Sequence, residues 1–173
     1  SGRLNTEQRG RFLGEFDTGD ELLILYKNGS YITTPLDITK RFQSDDFLYI
    51  GQCNRKDDVI TAVHYDGHKG WTMVKRFHIE TTQADQRFSY LTDHPESQLL
   101  FLSVEPSPKI KFQIKVGNKK SEGEALLTDI VDIKGWKAVG NRLSDKKISD
   151  IEIIEPLDTA EPPIVEEGQQ TLF

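Results

Sequence analysis

The chain has 173 residues, and its 22 lysines and arginines are outnumbered by 28 aspartates and glutamates, for a net charge of −6. That length suffices for one domain with its own core, or for a few small repeats. No apolar run approaches the roughly 18 residues of a membrane span, no signal peptide opens the sequence, and the single cysteine, Cys53, excludes an internal disulfide and fits a reducing compartment.

Residues 1–12 are polar and read as a lead-in to a folded region over residues 13–155. Glu21 to Tyr26 is an apolar run, Asn28-Gly29 is a turn, and Ser30 to Thr34 resumes a β-prone pattern. Asn-Gly between such runs predicts a hairpin with a type I′ turn, in which both central residues take positive φ. A second copy follows, with Val59 to Tyr65 leading into Asp66-Gly67-His68-Lys69-Gly70 and Trp71 to Ile79 returning. Few stretches read as helix, and Thr81 to Arg87 suits one helical turn. A weaker third copy runs from Leu99 to Val104, turns through Glu105-Pro106-Ser107-Pro108, and returns as Lys109 to Val116. The turns begin near residues 27, 66 and 105, so the period is about 39 residues, the size of a four-stranded propeller blade or a similar β-repeat. The expected fold class is all-β.

A strand pattern from Leu126 to Ile133 then runs into Lys134-Gly135-Trp136-Lys137-Ala138-Val139-Gly140-Asn141-Arg142-Leu143, and another, Ile148 to Ile154, leaves it. Two glycines, a tryptophan and three cations in ten residues suit a bent, exposed β-connection. Trp136 is assigned to the core, because a large aromatic side chain usually packs. From Glu155 the pattern stops, and residues 156–173 form an acidic, proline-rich tail expected to be disordered. Its end, Gln169-Gln170-Thr171-Leu172-Phe173, is either a frayed terminus or a docking peptide that buries Leu172 and Phe173 in a partner.

The charge is uneven. All 22 cations lie in residues 1–150 with 22 of the 28 carboxylates, so that body sums to zero; the other six carboxylates are Glu152, Glu155, Asp158, Glu161, Glu166 and Glu167. A neutral body can still present a basic face, for which an acidic tail competes or beside which it stays solvated.

No catalytic constellation emerges. His64 and His68 are four residues apart, but across a turn rather than along a helical face, so no metal site is expected. Cys53 has no activating neighbours in sequence. Asp45-Asp46 and Asp57-Asp58 are adjacent pairs whose side chains point to different sides of a strand or turn. There is neither a Gly-x-x-x-x-Gly-Lys loop nor a Gly-x-Ser-x-Gly elbow. Basic surface is the better lead. In Lys109 to Val116, Ile110, Phe112, Ile114 and Val116 face the core and Lys109, Lys111, Gln113 and Lys115 face outward, with Lys119 and Lys120 just beyond. Alternate cations fall about 7 Å apart at roughly 3.3 Å per residue, which suits phosphates; a lysine-rich edge strand that resists aggregation is the other reading. Lys40-Arg41, Lys75-Arg76 and Lys146-Lys147 sit where strands meet connections and could reach one rim.

Tyr26-Lys27-Asn28-Gly29-Ser30-Tyr31, Val74-Lys75-Arg76-Phe77 and, above all, Lys134 to Leu143 resemble the C-terminal domain of the type IIA topoisomerase A subunit. The form most similar is the DNA topoisomerase IV A subunit of the Bacteroides group, over roughly residues 12–155. The last segment is similar to that family's Lys-Gly-(aromatic or Arg)-x-x-x-Gly-Asn-x-Leu motif. The resemblance implies a β-pinwheel, a propeller-like array of blades that exchange strands, with a basic rim that binds and bends duplex DNA to steer strand passage in decatenation or supercoil relaxation. It implies a non-catalytic, cytoplasmic module of the bacterial nucleoid without a cofactor of its own. ATP and Mg belong elsewhere in the enzyme, with the ATPase B subunit and the tyrosine-bearing part of the A subunit as partners. Lys134, Lys137 and Arg142 then join Lys40, Arg41, Lys75, Arg76, Lys109, Lys111, Lys115, Lys146 and Lys147 as candidate DNA contacts, and Gly135 and Gly140 shape the bend.

The Gln-Arg-Arg-Gly-Gly-Lys-Gly box of gyrase is missing, with only a partial echo in Gln8-Arg9-Gly10-Arg11, which favours a topoisomerase IV-like role. About three repeats are visible where the family has five or six blades, so either further blades precede residue 1 or the disc is open. The terminal Gln169, Leu172 and Phe173 are similar to the Gln-x-x-Leu-Phe peptide that docks on the sliding clamp of DNA polymerase. That motivates the alternative of a protein-interaction module.

Overall fold

The structure, a computed structural model, describes residues 2–3, 19–37, 41–42 and 46–154. Its strands in chain order are β1 (Gly2–Arg3), β2 (Glu21–Tyr26), β3 (Ser30–Pro35), β4 (Arg41–Phe42), β5 (Phe47–Gln52), β6 (Ile60–Asp66), β7 (Trp71–Phe77), β8 (Phe88–Ser89), β9 (Gln98–Ser103), β10 (Lys109–Val116), β11 (Lys119–Leu126), β12 (Asn141–Ser144) and β13 (Ile148–Ile154). One short helix, α1 (Leu127–Ile130), follows β11.

The strands form the antiparallel sheets β5-β2-β3-β8, β9-β6-β7-β12 and β11-β10-β13 and the two-stranded pair β1-β4. One rule generates all of them. Each repeat makes a hairpin, sends a short strand away, and brings the next strand back to its own hairpin. The pair β6-β7 sends β8 to β3 and recovers β9; the pair β10-β11 sends β12 to β7 and recovers β13. The pair β2-β3 likewise sends β4 to β1 and recovers β5. This is the strand exchange that the resemblance implied.

The burial explains the sequence patterns. Leu22-Leu23-Ile24-Leu25 is apolar at every position because both faces of its sheet are covered. Leu23, Leu25 and Tyr31 pack against Ile60, Ala62 and Phe77 of the second sheet, with Tyr90 between them. The second sheet turns Val63 and Val74 to Ile110, Phe112 and Ile148 of the third, and Leu127 and Val131 complete that layer. Each such side chain contributes about 1.5–3 kcal/mol on leaving water. The third sheet has a polar outer face, which is why the alternation of apolar and charged residues in β10 is so regular.

Several expectations are corrected. The third hairpin is β10-β11, turning at residues 117–118; β9 pairs with β6, and Pro106 and Pro108 lie in a connection between sheets. The period of 39 therefore holds only between the first two hairpins, because β9 is a return strand that resembles a hairpin arm. Leu127–Ile130 is helical rather than extended, and 81–87 contains no helix. In the first turn Gly29 takes φ +80° while Asn28 keeps negative φ, and the Gly29 N–H donates to the Tyr26 carbonyl at 3.2 Å. That is a type I turn closed by a left-handed glycine, not a type I′ turn. Finally, the core face of β10 fades along its length. Ile110 and Phe112 are buried, Ile114 is half-buried, and Val116 is 58% exposed.

Residues 4–18, which hold most of the lead-in and the start of the expected folded region, Lys40 and the tail from 155 onward, with Gln169, Leu172 and Phe173, lie outside the described residues.

Candidate nucleic-acid interface

The three hairpin ends lie side by side. From the first, the segment after β8 crosses to the second: the Tyr90 N–H donates to Gly29 O at 3.0 Å, and the Thr92 hydroxyl to Asp66 Oδ1 at 2.9 Å. The Gly67 N–H donates to the Ser97 hydroxyl at 3.0 Å, and the His94 ring stands 4.8 Å from that of His68. From the second end, the Thr72 hydroxyl donates to Lys146 O at 2.7 Å and accepts the Ile148 N–H at 3.2 Å. Ile148 is paired with Ile114, two residues before the third turn.

Each end carries exposed cations. At the first, Lys27 sits in the turn, and the exchanged strand brings Arg87 to 3.7 Å from the Tyr26 ring. At the second, Lys69 and Arg142 each stand 4.7 Å from the Trp71 ring. Lys147 lies 5.3 Å from the ring of Tyr65, whose register position puts it on the opposite face of the sheet from Trp71, so cations straddle this end. Lys146 is exposed beside them. At the third, Lys115, Lys119 and Lys120 surround the turn, all exposed. Exposed carboxylates along the same path include Asp46, Asp93, Glu96 and Asp145, and Asp66 is buried at the second turn. Flexible cations spaced along a path make the contacts that phosphate backbones take, without reading sequence.

Of the residues expected from sequence to touch DNA, Arg142, Lys146, Lys147 and Lys115 meet in this row. Lys134 and Lys137 are exposed on the loop that leads to β12, with Lys137 5.5 Å from the Trp136 ring. Arg41 is placed in β4. Arg76 is half-buried and donates to the Thr61 hydroxyl at 3.3 Å and to Pro106 O at 3.1 Å, which ties the β9–β10 connection to its sheet. Lys109 and Lys111 face Glu124 at 3.8 Å and Glu152 at 3.1 Å on the strands to either side. β10 is thus a central strand, not the edge strand that its sequence suggested; Lys109 and Lys111 are paired with carboxylates, and of its lysines only Lys115 joins the row.

Lys75 is withdrawn from the set. It is 2% exposed, and its ammonium donates to Tyr90 O at 2.9 Å and Trp136 O at 2.5 Å, 5.0 Å from the Phe77 ring. Burial pushes the amine down to about 8 from the usual 10.5. Between those values the unfolded chain binds a proton that the folded chain does not, so stability rises with pH across that window. The gain is on the order of 3 kcal/mol at most. Urea titrations at pH 7.5 and pH 10 are expected to show this increment in the native protein and to lack it in Lys75→Met.

His64 lies beside Lys75 on the same face of the second sheet and is fully buried. Its Nε2 donates to Val139 O at 2.9 Å, its Nδ1 has no partner, and burial lowers its pKa, so the ring is neutral. Burial also pushes the Cys53 thiol up to about 11, which keeps it protonated and unreactive near neutrality. Among the described residues no group of three His, Cys, Asp or Glu side chains could hold a metal ion, and no helix is long and apolar enough to cross a membrane.

Trp136 is half-buried, as its size suggested, with edge-on contacts to Tyr31 at 6.1 Å and Phe88 at 5.6 Å. Gly140 shapes the bend, with φ +96° against the Val74 carbonyl; Gly135 has neither positive φ nor a close neighbour. Sequence reading missed Lys27, Lys69 and Arg87. A signal for Arg87 existed: the exchanged segments share Arg-(Phe or Leu)-Ser, as Arg87-Phe88-Ser89 and Arg142-Leu143-Ser144, and both arginines cover an aromatic ring at the receiving hairpin.

The sequence matches the family model described as topoisomerase C-terminal domain, Bacteroidota, over residues 3–155. Among solved structures it is similar to the crystal structure of the C-terminal domain of DNA topoisomerase IV, with a TM-score of 0.53 and 12% identity over 80% of this chain and 48% of that one. The chain therefore spans about half the length of that structure, and the likeness is one of fold. No curated protein matches the sequence.

Proposed function

We propose, on the premise that the chain belongs to the Bacteroidota topoisomerase C-terminal domain family, that it binds duplex DNA across its three hairpin ends. In the type II topoisomerase to which such a domain belongs, it then steers the segment handled in strand passage. One observation carries this reading: each successive repeat delivers exposed cations to the same end of the array, although the body as a whole is neutral. A path of point charges suits a polyanion of any sequence. Strand cleavage and ATP hydrolysis fall to the rest of the A subunit and to the B subunit. The docking reading of Gln169, Leu172 and Phe173 rests on the sequence alone.

The test is titration of a fluorescent 30-base-pair duplex with the full chain between 50 and 300 mM NaCl. With about five phosphate contacts and roughly 0.9 counterions released at each, log K is expected to fall against log salt with a slope near −4 to −5. A slope shallower than about −1, or no binding at 50 mM, rejects the reading.

A further inference from the structure

The second hairpin end is completed by a strand from another repeat, and what holds that strand is internal. The loop over residues 133–140 lies between the first and second sheets and leads into β12. Beneath it, on one face of the second sheet, stand His64 and Lys75, the buried basic side chains that no DNA contact can use. Lys75 donates to the carbonyl of Trp136 and also to that of Tyr90, just after β8. His64 donates to the carbonyl of Val139, two residues before Asn141 opens β12. The backbone at both points turns its carbonyls inward, where nothing else described satisfies them; a buried carbonyl without a donor is costly. β12 itself is only four residues long and its register breaks between Arg142 and Ser144. Its ladder alone is therefore a weak attachment.

We infer that His64 and Lys75 are positioning residues for the DNA-binding end: together they latch the exchange loop onto the second sheet, so that β12 docks and Arg142 stands over Trp71. Lys75 also reaches the segment after β8, so the exchange strands of both neighbouring sheets converge on this one amine. The inference rests on the proposed DNA-binding reading only for its functional consequence. The latch is a matter of which carbonyls the two side chains hold. It explains why two basic side chains are buried on that face, under the connection that delivers Arg142 to the second hairpin. It also assigns a use to Lys75, which its sequence had placed among the phosphate contacts.

The test uses the full chain with His64→Ala and Lys75→Met, each alone, and His64→Gln, whose amide can still donate to Val139 O. Amide hydrogen exchange is followed in peptides from residues 134–144 and, as the internal control, from β10 and β11. Duplex affinity is measured against salt in parallel. Both disruptive variants are expected to speed exchange in 138–144 by about tenfold or more, the range expected when a local opening becomes easier by one or two hydrogen bonds, while β10 and β11 keep native rates. The salt slope should become shallower by about 1, as Arg142, the cation that this loop delivers to the row, loses its fixed position. His64→Gln should restore both readouts. Unchanged exchange in 138–144 overturns the latch. So does exchange that rises equally in all sheets, or outright loss of the fold, because the pair would then be holding the core as a whole. If exchange rises locally while the salt slope stays native, the positioning role falls. The surface variant with Lys69→Ala, Arg142→Ala and Lys147→Ala separates the two readings. Should removing the cations of the second end change DNA binding while His64→Ala does not, the proposed function stands and this inference fails. Should neither change it, the site itself is wrong.

Discussion

Replacing Lys69, Arg142 and Lys147 together by alanine is expected to weaken duplex binding by about two orders of magnitude near 0.1 M salt and to make the salt slope shallower by about 2.7. The three cations occupy the middle of the row, on both faces of the second hairpin end, so their loss divides the path between the first and third ends. Each contact releases close to one counterion, and the entropy of that release is what low salt rewards. The substitutions touch surface rings and no buried layer, so cooperative thermal unfolding should stay close to native, which separates lost charge from lost fold. Lys109→Ala with Lys111→Ala is the matched control. Those lysines are equally basic in sequence, but Glu124 and Glu152 already neutralise them, so affinity and slope should hardly move. Anisotropy titrations at three salt concentrations measure all of this. Affinity of the triple variant within threefold of native, with an unaltered slope, would show that DNA does not run along the hairpin ends.

Gly140→Ala is the single change expected to cost most stability. Gly140 holds φ +96°, and a Cβ there would fall 1.9 Å from the Val74 carbonyl oxygen and 2.7 Å from its carbon. Those are backbone atoms of the central hairpin, which cannot rotate aside as a side chain can. Either β12 lifts from β7 or the loop leaves its latch. The cost is about 3 kcal/mol or more, counting both the left-handed backbone and the overlap. For a chain of this length that corresponds to a fall in Tm of about 10 °C, measurable by scanning calorimetry. Gly135→Ala supplies the contrast. Its nearest neighbour would be Glu80 Oε1 at 3.9 Å, and its φ is not left-handed, so stability should change by less than about 0.5 kcal/mol. Equal effects at the two glycines would mean that close packing at Val74 does not set the course of the loop.

The sequence by itself determined the fold class, the first two hairpins and the family. Glu21 to Tyr26, Ile60 to Asp66 and Ile148 to Ile154 announce themselves through local composition, and so do the places of the first two turns, because glycine and β-branched residues act over a few positions. The segment from Lys134 to Leu143 was equally legible as a bent cationic connection, since Gly140 and its cations are properties of the chain alone. Which strand pairs with which was not legible. β9 and β10 are adjacent in sequence and both β-prone, yet they belong to different sheets, because exchange between repeats satisfies hydrogen bonds that no local pattern records. The fate of each cation was equally hidden. Lys75 and Lys109 look alike as letters. Only the tertiary structure put Lys75 under the exchange loop, where two carbonyls hold it, set Lys109 and Lys111 against glutamates from other strands, and brought Lys27, Lys69 and Arg87 to one row. Charge becomes a binding surface through exposure and neighbours, and both are set by residues distant in sequence.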